Sequence, residues 1–186
     1  MPEIWIAVAE KTGIEALRRT TRDEPDYDLL MRSRLDIMRE NNLKLSDIQN
    51  VIVSLSPLEG AKDFLDELRA QTQVVILSDT FVQFANPLMR QLDWPVIFCN
   101  HLEVSDDVVV NYHLRQPDQK RQSVVAFKSL NFEVIAAGDS YNDTNMLTEA
   151  NHGILFRAPE NIQSEFPQFP AVTEFDELMR WIMDRL

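Results

Sequence analysis

Two aspartates four residues apart, Asp139 and Asp143, follow a short uncharged run at residues 134–137. The run is apolar and partly β-branched, which is typical of a strand buried on both faces of a parallel sheet. Open α/β sheets bind their ligands at the carboxyl ends of such strands, so these carboxylates are placed for chemistry. Gly138 is expected to allow a tight turn there, and Asn142 or Asp143 to cap the helix that follows.

A second apolar run, residues 74–77, ends in the same way, with the polar residues Ser78, Asp79 and Thr80. Each of these has an ordinary alternative, because aspartate and serine are common in turns and as helix caps. Two buried strands that both end in oxygen-rich segments are better explained by one shared site. The sequence therefore predicts that the two strand ends meet around a ligand.

The composition restricts the partners of the chain and its location. Its 186 residues are 45% hydrophobic, enough for one good core, and its net charge of −12 argues against nucleic acid or an anionic membrane as a partner. An acidic chain that handles a phosphate would need a metal ion and nearby basic residues. The single Cys99 excludes an internal disulfide and the three histidines lack zinc spacing, so a reducing cytoplasm is expected. No apolar run approaches the ~20 residues of a membrane helix, and charged residues interrupt the start, which does not look like a signal peptide.

Helical patterns occupy residues 2–55, and no strand pattern occurs there. After Ser56 and Pro57, helices alternate with short apolar strands, which favours a doubly wound parallel sheet. The predicted fold class is therefore α/β, with a helical cap domain over residues 1–56 and a core domain over 57–186. Strands are predicted at 74–77, 96–98, 134–137 and 153–156, with an antiparallel pair at 102–104 and 108–114. Later helices are predicted from residue 59 onward and at 81–92, 119–130, 144–150 and 174–186.

Several segments of the chain resemble a known family when taken in order: PEIWIA, PDYD, VVILSDTF, RQSV, AAGDSYND and EFPQFPAV. A GDxxND turn is moderately specific by itself, but the whole series resembles the phosphoserine phosphatases of the haloacid dehalogenase superfamily. The similarity covers nearly the whole chain and is greatest to the bifunctional members that also transfer phosphate to homoserine. The resemblance implies a Rossmann-like parallel sheet with a small helical cap, Mg²⁺ as cofactor, and phosphoserine as a small-molecule substrate.

The resemblance also implies roles for residues near the two strand ends. In that family an aspartate attacks phosphorus, and the resulting aspartyl-phosphate is passed to water or to an alcohol. Asp139 would bind Mg²⁺, and Asp143 would orient a metal-bound water or Lys120. Ser78 would donate its hydroxyl to a phosphate oxygen, and Asn142 would contribute to substrate binding. Lys120 would place a compact positive charge beside the phosphate, although a lysine at a helix start is usually exposed to solvent.

A second group of residues is implied to bind the amino acid part of the substrate. Glu3 resembles the family's acidic residue for the amino group, Arg34 its residue for the carboxylate, and Tyr27 would help to wall the pocket. From the sequence alone, an arginine such as Arg34 on an amphipathic helix is more often a solvated surface residue. Asp79 and Thr80 stand where most phosphoserine phosphatases have two glycines, which leaves the preferred acceptor open.

The family's first motif, a strand with the nucleophilic aspartate and a second carboxylate two residues later, does not occur in these 186 residues. The resemblance places that strand before the PEIW segment and between the strands at 74–77 and 134–137. Without it, those strands would lie ~10 Å apart with unpaired backbone groups, which is strongly destabilising. We therefore expect the complete protein to begin about 5 to 10 residues earlier, and the 186-residue form to be inactive and poorly folded.

Three classes of function are compatible with these residues to different degrees. The first is a Mg²⁺-dependent phosphoserine phosphatase, with or without transfer of phosphate to homoserine. The second is a protein without a nucleophile that binds phosphoserine or another phosphometabolite through Arg34, Ser78 and Lys120. The third is a receiver-type signalling domain, which the helical residues 2–55 disfavour because that fold has no place for them. The oligomeric state is left open, with a homodimer among the options.

Overall fold

The structure, a computed structural model, describes residues 4–20, 23–24 and 26–186. The chain divides into two compact units: the first comprises Met1–Lys62 and Asp79–Arg115, and the second Asp63–Ser78 and Gln116–Leu186. The predicted cap, residues 1–56, falls within the first unit, which also contains a β-hairpin. A separate cap domain that ends after residue 56 stays a prediction. Within the described residues, no helix has both the length and the apolar character needed to cross a membrane.

The described residues before Ala61 contain only helical elements, and those after it alternate between helices and strands. This agrees with the helical region predicted at 2–55 and with the predicted change of pattern after it. In chain order the elements are α1 (Ile4–Thr12), a 3₁₀ turn (Glu15–Arg18), α2 (Tyr27–Glu40), α3 (Leu45–Val53), α4 (Ala61–Arg69), β1 (Val75–Phe81), α5 (Val82–Gln91), β2 (Val96–Ser105), β3 (Val108–His113), α6 (Gln119–Ser129), β4 (Ile135–Gly138), α7 (Tyr141–Glu149), β5 (His152–Phe156), α8 (Glu160–Glu165), β6 (Ala171–Val172) and α9 (Phe175–Met183).

The helices of the first unit enclose an apolar core. α1 is followed by Gly13, whose φ of 73° lies in the left-handed region that glycine adopts without strain. The next helix, α2, is capped by Asp26, whose carboxylate accepts hydrogen bonds from the amides of Asp28 and Leu29. The buried apolar side chains of these helices include Val8, Met31, Ile48, Ile52, Phe84 and Leu88.

β2 and β3 form an antiparallel hairpin in the first unit. Ser105 lies opposite Val108, and the two turn residues, Asp106 and Asp107, have positive φ values of 48° and 66°, which suit the twist of a hairpin. The predicted antiparallel pair is therefore confirmed. The separate strand predicted at 96–98 is wrong, because β2 runs without interruption from Val96 to Ser105. This strand contains Cys99, the only cysteine of the chain, with 0% of its surface exposed.

The second unit is built on a parallel sheet. β4, β5 and β6 pair in that order, with Ile135 opposite His152 and Leu155 opposite Ala171. The strands predicted at 134–137 and 153–156 are confirmed to within one residue at each end. The elements α8 and β6 were not predicted, because both are too short to produce a clear periodic pattern. The buried residues that pack on this sheet include Val124, Met146, Leu147, Ile154, Leu155 and Leu178.

The α/β fold class is confirmed, but the strands of the described residues form two sheets and not one. β1, β2 and β3 make up one three-stranded sheet, and β4, β5 and β6 make up the other. Among the described residues, β1 and β4 are therefore the end strands of separate sheets. The sequence analysis placed a further strand between these same two strands.

Candidate active site

The loop between β4 and α7 holds the side chain of Asp143 by hydrogen bonds. Its Oδ2 accepts from the backbone N–H of Asp139 at 3.0 Å and from that of Ser140 at 3.1 Å. It also accepts from the Ser140 hydroxyl at 2.9 Å. Ser140 is the N-cap of α7, which begins at Tyr141, so the caps predicted at Asn142 and Asp143 are wrong. A serine three residues before an acidic residue is a capping-box pattern, so the sequence did contain the signal for this cap.

Gly138 leaves room for the side chain of Asp143. The backbone of Gly138 is not in the left-handed region, so the predicted glycine-dependent turn is not the reason for a glycine at this position. A Cβ atom added to Gly138 would lie 2.6 Å from Cγ and 2.8 Å from Oδ2 of Asp143. The absence of a side chain therefore allows the carboxylate to pack directly against the end of β4.

The second carboxylate oxygen of Asp143 pairs with Lys120, which lies in the first turn of α6. Lys120 Nζ donates to Asp143 Oδ1 at 2.8 Å, and only 12% and 8% of the two side chains are exposed. Burial acts to raise the pKa of Asp143, but the Lys120 charge and the hydrogen bonds from Lys120, Ser140 and Asp139 outweigh it, and the pKa lies below its usual value. The exposed alternative for Lys120 is therefore wrong.

Asp139 has a different environment from Asp143. It is exposed, whereas Asp143 is only 6% exposed. Partial desolvation, followed by the charge of Asp143, raises its pKa above the usual value, although Lys120 acts in the opposite direction. An open carboxylate in such an environment is well suited to bind a cation.

Ser78 is connected to Lys120 through Gln119, the first residue of α6. Gln119 is 6% exposed, and its Nε2 donates to the backbone oxygen of Ser78 at 2.8 Å. A series of contacts therefore runs from Ser78 through Gln119 and Lys120 to Asp143 and the backbone of Asp139, all within the second unit. Sequence analysis missed Gln119, because a glutamine at a helix start carries no distinctive signal.

The strand end predicted at residue 77 is wrong. β1 continues through Ser78, Asp79 and Thr80 to Phe81, and α5 follows directly at Val82. The strand extends because it belongs to a sheet with β2, and backbone pairing does not depend on the polarity of the side chains. Side chains alternate along a strand, so neighbouring residues of this polar segment face opposite sides of the sheet.

A second group of predicted site residues, Tyr27, Arg34 and Asp79, lies in the first unit. Burial raises the pKa of Tyr27 to about 12, with Arg34 acting to lower it and Asp79 to raise it further. Both charges are therefore near the phenol. Arg34 is 6% exposed; its guanidinium carbon lies 4.6 Å from the ring centroid of Trp5, and its Nη2 donates to the backbone oxygen of Arg19 at 2.7 Å. The solvated alternative for Arg34 is therefore wrong.

The structure says less about the remaining predicted site residues. Glu3 lies outside the described residues. Asn142 is exposed in the first turn of α7, and Thr80 is half-buried in β1. The structure gives the positions of the described site residues, whereas their roles stay predictions.

The donor set at the end of β4 fits Mg²⁺. In phosphate-handling sites this ion is held by one or two carboxylates together with water and substrate phosphate oxygens. Asp139 offers such a carboxylate, while Asp143 is already engaged with Lys120 and the loop backbone. No group of three His, Cys, Asp or Glu residues in the described part of the chain could hold a metal ion, so those residues do not form a closed protein cage.

Comparison with known sequences identifies the family. The sequence profile of the haloacid dehalogenase-like hydrolases matches residues 3–151, which is most of the chain. The chain belongs to the haloacid dehalogenase-like hydrolases. This hydrolase is 65% identical over 181 residues to phosphoserine phosphatase ThrH of Pseudomonas aeruginosa, a match that covers 97% of the chain and 88% of the relative. It is also 65% identical over 181 residues to a phosphoserine phosphatase of Pseudomonas syringae pv. tomato, covering 97% of the chain and 76% of that protein.

Comparison with solved structures supports the fold of this hydrolase. A crystal structure of phosphoserine phosphatase in apo form matches with a TM-score of 0.76 and 20% identity, covering 98% of this chain and 90% of that one. At such identity the likeness concerns the fold alone. The resemblance noted from the sequence is thus confirmed for the family and for the fold class.

Proposed function

We propose that this protein hydrolyses O-phospho-L-serine to L-serine and phosphate in the presence of Mg²⁺. The observation that carries the proposal is the buried pair of Lys120 and Asp143 beside the open carboxylate of Asp139. The 65% identity to two phosphoserine phosphatases supports the choice of substrate. The acidic chain, with its net charge of −12, makes a local cluster of positive charge necessary for any phosphate ligand.

The residues around the Lys120–Asp143 pair would neutralise the transferring phosphoryl group. Phosphoryl transfer spreads negative charge over three equatorial oxygens, so fixed positive charge and hydrogen-bond donors lower its barrier. Mg²⁺ bound to Asp139 would supply part of that charge. Lys120, held in place by Asp143, would supply a second positive charge, and Ser78 would donate its hydroxyl to a phosphate oxygen.

A second set of predicted residues would bind the amino acid part of the substrate. We assign Arg34 to the carboxylate, since its planar guanidinium can donate two parallel hydrogen bonds. The Tyr27 phenol lies near the charges of both Arg34 and Asp79. We therefore expect Tyr27 and Asp79 to line the pocket that contains Arg34. Glu3 remains the proposed partner of the amino group, and Asn142 and Thr80 remain proposed contributors to substrate binding.

The reaction needs a nucleophilic aspartate that the residues above do not supply. Asp139 is assigned to the metal ion, and both oxygens of Asp143 already accept hydrogen bonds. We propose that the nucleophile is an aspartate on the further strand that the family resemblance implies. Its carboxylate oxygen would form the bond to phosphorus as the serine oxygen leaves, and water would then release phosphate.

The acceptor is a further part of the proposal. Homoserine would replace water in the second step if its hydroxyl reaches the aspartyl-phosphate, giving homoserine phosphate and the free aspartate. Asp79 and Thr80 are the residues that we expect to influence this choice, because they differ from the two glycines of most phosphoserine phosphatases. Substituting both by glycine should shift the ratio of homoserine phosphate to free phosphate.

The experiment compares the 186-residue chain with a longer chain that also carries the nucleophile-bearing strand implied by the family resemblance. Release of serine and phosphate from phosphoserine is measured with Mg²⁺ and with EDTA. We expect turnover only for the longer chain and only with the metal ion. Equal turnover by both chains would show that the assignment of the nucleophile is wrong. Binding of phosphoserine without turnover by the longer chain would favour the non-catalytic phosphometabolite-binding protein.

A further inference from the structure

Gln119 is a buried polar residue that the proposed chemistry does not use. It is 6% exposed, and its Nε2 donates to the backbone oxygen of Ser78 at 2.8 Å. The two residues are 41 positions apart in the sequence, so this bond joins α6 to β1 across the second unit. A buried amide that bonds to a backbone carbonyl is costly to remove, because the carbonyl would then lose a partner.

The start of α6 has no ordinary cap. Asp118 is the N-cap residue, but its φ is 49° and its side chain makes no capping hydrogen bond to the helix. A helix start without such a cap is less stable than one with it. The side-chain amide of Gln119 stabilises this turn in another way, because its hydrogen bond connects the first residue of α6 to β1.

Lys120 is the next residue in the same turn. Consecutive helical residues point ~100° apart, so Gln119 and Lys120 reach different neighbours. Gln119 contacts β1, whereas Lys120 contacts Asp143 in α7. Together they fix the first turn of α6 at two points.

We propose that Gln119 is a positioning residue that keeps the Lys120 ammonium in its pair with Asp143. Its catalytic consequence rests on the proposed function, because only a phosphoryl-transfer site needs that ammonium at a fixed place. Loss of the amide would let the first turn of α6 fray and would let Lys120 sample other positions. Binding of the substrate's amino acid groups would be unaffected, since their proposed partners include neither Gln119 nor Lys120.

The first test does not depend on catalysis. The coupling between Lys120 and Asp143 is measured with a double-mutant cycle of K120M, D143N and the double variant, using unfolding constants from urea titrations. The cycle is carried out once in the parent protein and once in Gln119→Leu. Gln122→Leu is the matched control, because Gln122 lies in the same helix and its side chain has no hydrogen bond among the described residues. We expect the coupling constant to fall about fivefold in Gln119→Leu, the factor of one hydrogen bond, and not in the control. An unchanged coupling in Gln119→Leu would overturn the proposal.

Gln119→Glu keeps the proposal testable if Gln119→Leu does not fold. A protonated glutamic acid can donate to the Ser78 carbonyl, whereas the ionised form cannot. The unfolding constant of Gln119→Glu relative to the parent should therefore recover as the pH falls. A relative unfolding constant that does not change with pH would count against a donor role for residue 119.

The second test uses a form of the protein that turns over phosphoserine. Gln119→Leu should lower kcat about tenfold or more, as expected for a displaced catalytic group, and should leave KM within about twofold. Gln122→Leu should change neither value. A lost coupling with an unchanged kcat would overturn the catalytic consequence. If no form of the protein turns over phosphoserine, the proposed function fails, and the unfolding experiment still decides the role of Gln119.

Discussion

Lys120 Nζ lies 2.8 Å from Asp143 Oδ1, although the two residues are 23 positions apart and belong to different helices. The pair is nearly closed to solvent, with 12% and 8% of the side chains exposed. It therefore fixes an ammonium at a place where the loop after β4 also presents the open carboxylate of Asp139. The site therefore combines the positive charge of Lys120 with a carboxylate, Asp139, that is suited to bind a metal cation.

Lys120→Met should destabilise the protein strongly at neutral pH. Removing one partner of a buried ion pair leaves the other charge without compensation, at a cost of about 3–5 kcal/mol in the free energy of unfolding. Urea unfolding measures this difference. Lys11→Met is the control, because Lys11 is exposed in α1, and its effect should stay within about 0.5 kcal/mol. Equal effects of the two substitutions would contradict the buried pair.

The effect of Lys120→Met should also depend on pH. The pKa of Asp143 is lowered in the folded protein, so its contribution to stability is present above the ordinary aspartate value of about 3.9 and is lost as the pH falls through its folded value. The difference between parent and variant should therefore shrink on acidification. Unfolding curves recorded from neutral to acidic pH test this expectation, and a constant difference would speak against it.

Asp139→Asn should stabilise the protein at neutral pH in the absence of metal, whereas Lys120→Met should destabilise it. The pKa of Asp139 is raised, so ionisation of this group is less favourable in the folded state, and its stabilising contribution is lost as the pH rises through the folded value. The variant should therefore be more stable than the parent at neutral pH and equal to it below the ordinary aspartate pKa. Added Mg²⁺ should stabilise the parent and not the variant, which thermal unfolding with and without the ion can measure.

Gly138→Ala should displace Asp143. The added Cβ would lie 2.6 Å from Asp143 Cγ, a distance that requires the backbone or the carboxylate to move. We expect a loss of about 1–3 kcal/mol in unfolding free energy and loss of turnover in an active form. Gly13→Ala is the comparison, since no atom lies within 4 Å of its added Cβ and only its φ of 73° is unfavourable. That variant should lose stability and keep its turnover.

Arg34→Lys should weaken binding of the substrate carboxylate. Lysine keeps the positive charge but cannot donate two parallel hydrogen bonds, so KM for phosphoserine should rise about tenfold or more. Phosphoethanolamine is the control substrate because it lacks the carboxylate, and its KM should not change. An equal increase for both substrates would assign Arg34 to packing against Trp5, not to recognition.

The local parts of the fold were predictable from the sequence. The apolar run before Asp139 marked β4, and the pattern between residues 119 and 130 marked α6 to within one residue of its observed end. Both depend on residues close together in the chain. The cap at Ser140 was also available as a pattern, three residues before Asp143.

The parts that were missed depend on distant residues. β1 extends past Ser78 because of its sheet partner, which no local pattern reports. The bond from Gln119 to Ser78 spans 41 positions, and the burial of Arg34 results from packing on Trp5 and a bond to Arg19. The identity of the site residues was therefore easier to predict than the contacts that hold them.

The burial of Cys99 has a practical consequence. With 0% of its surface exposed and its pKa raised, chiefly by desolvation, the thiol of Cys99 is shielded from alkylating reagents in the folded protein. Because the chain has no other cysteine, one introduced at the surface would take up a fluorophore selectively. The native thiol would then report on local opening around the N-terminal half of β2 by its own rate of modification.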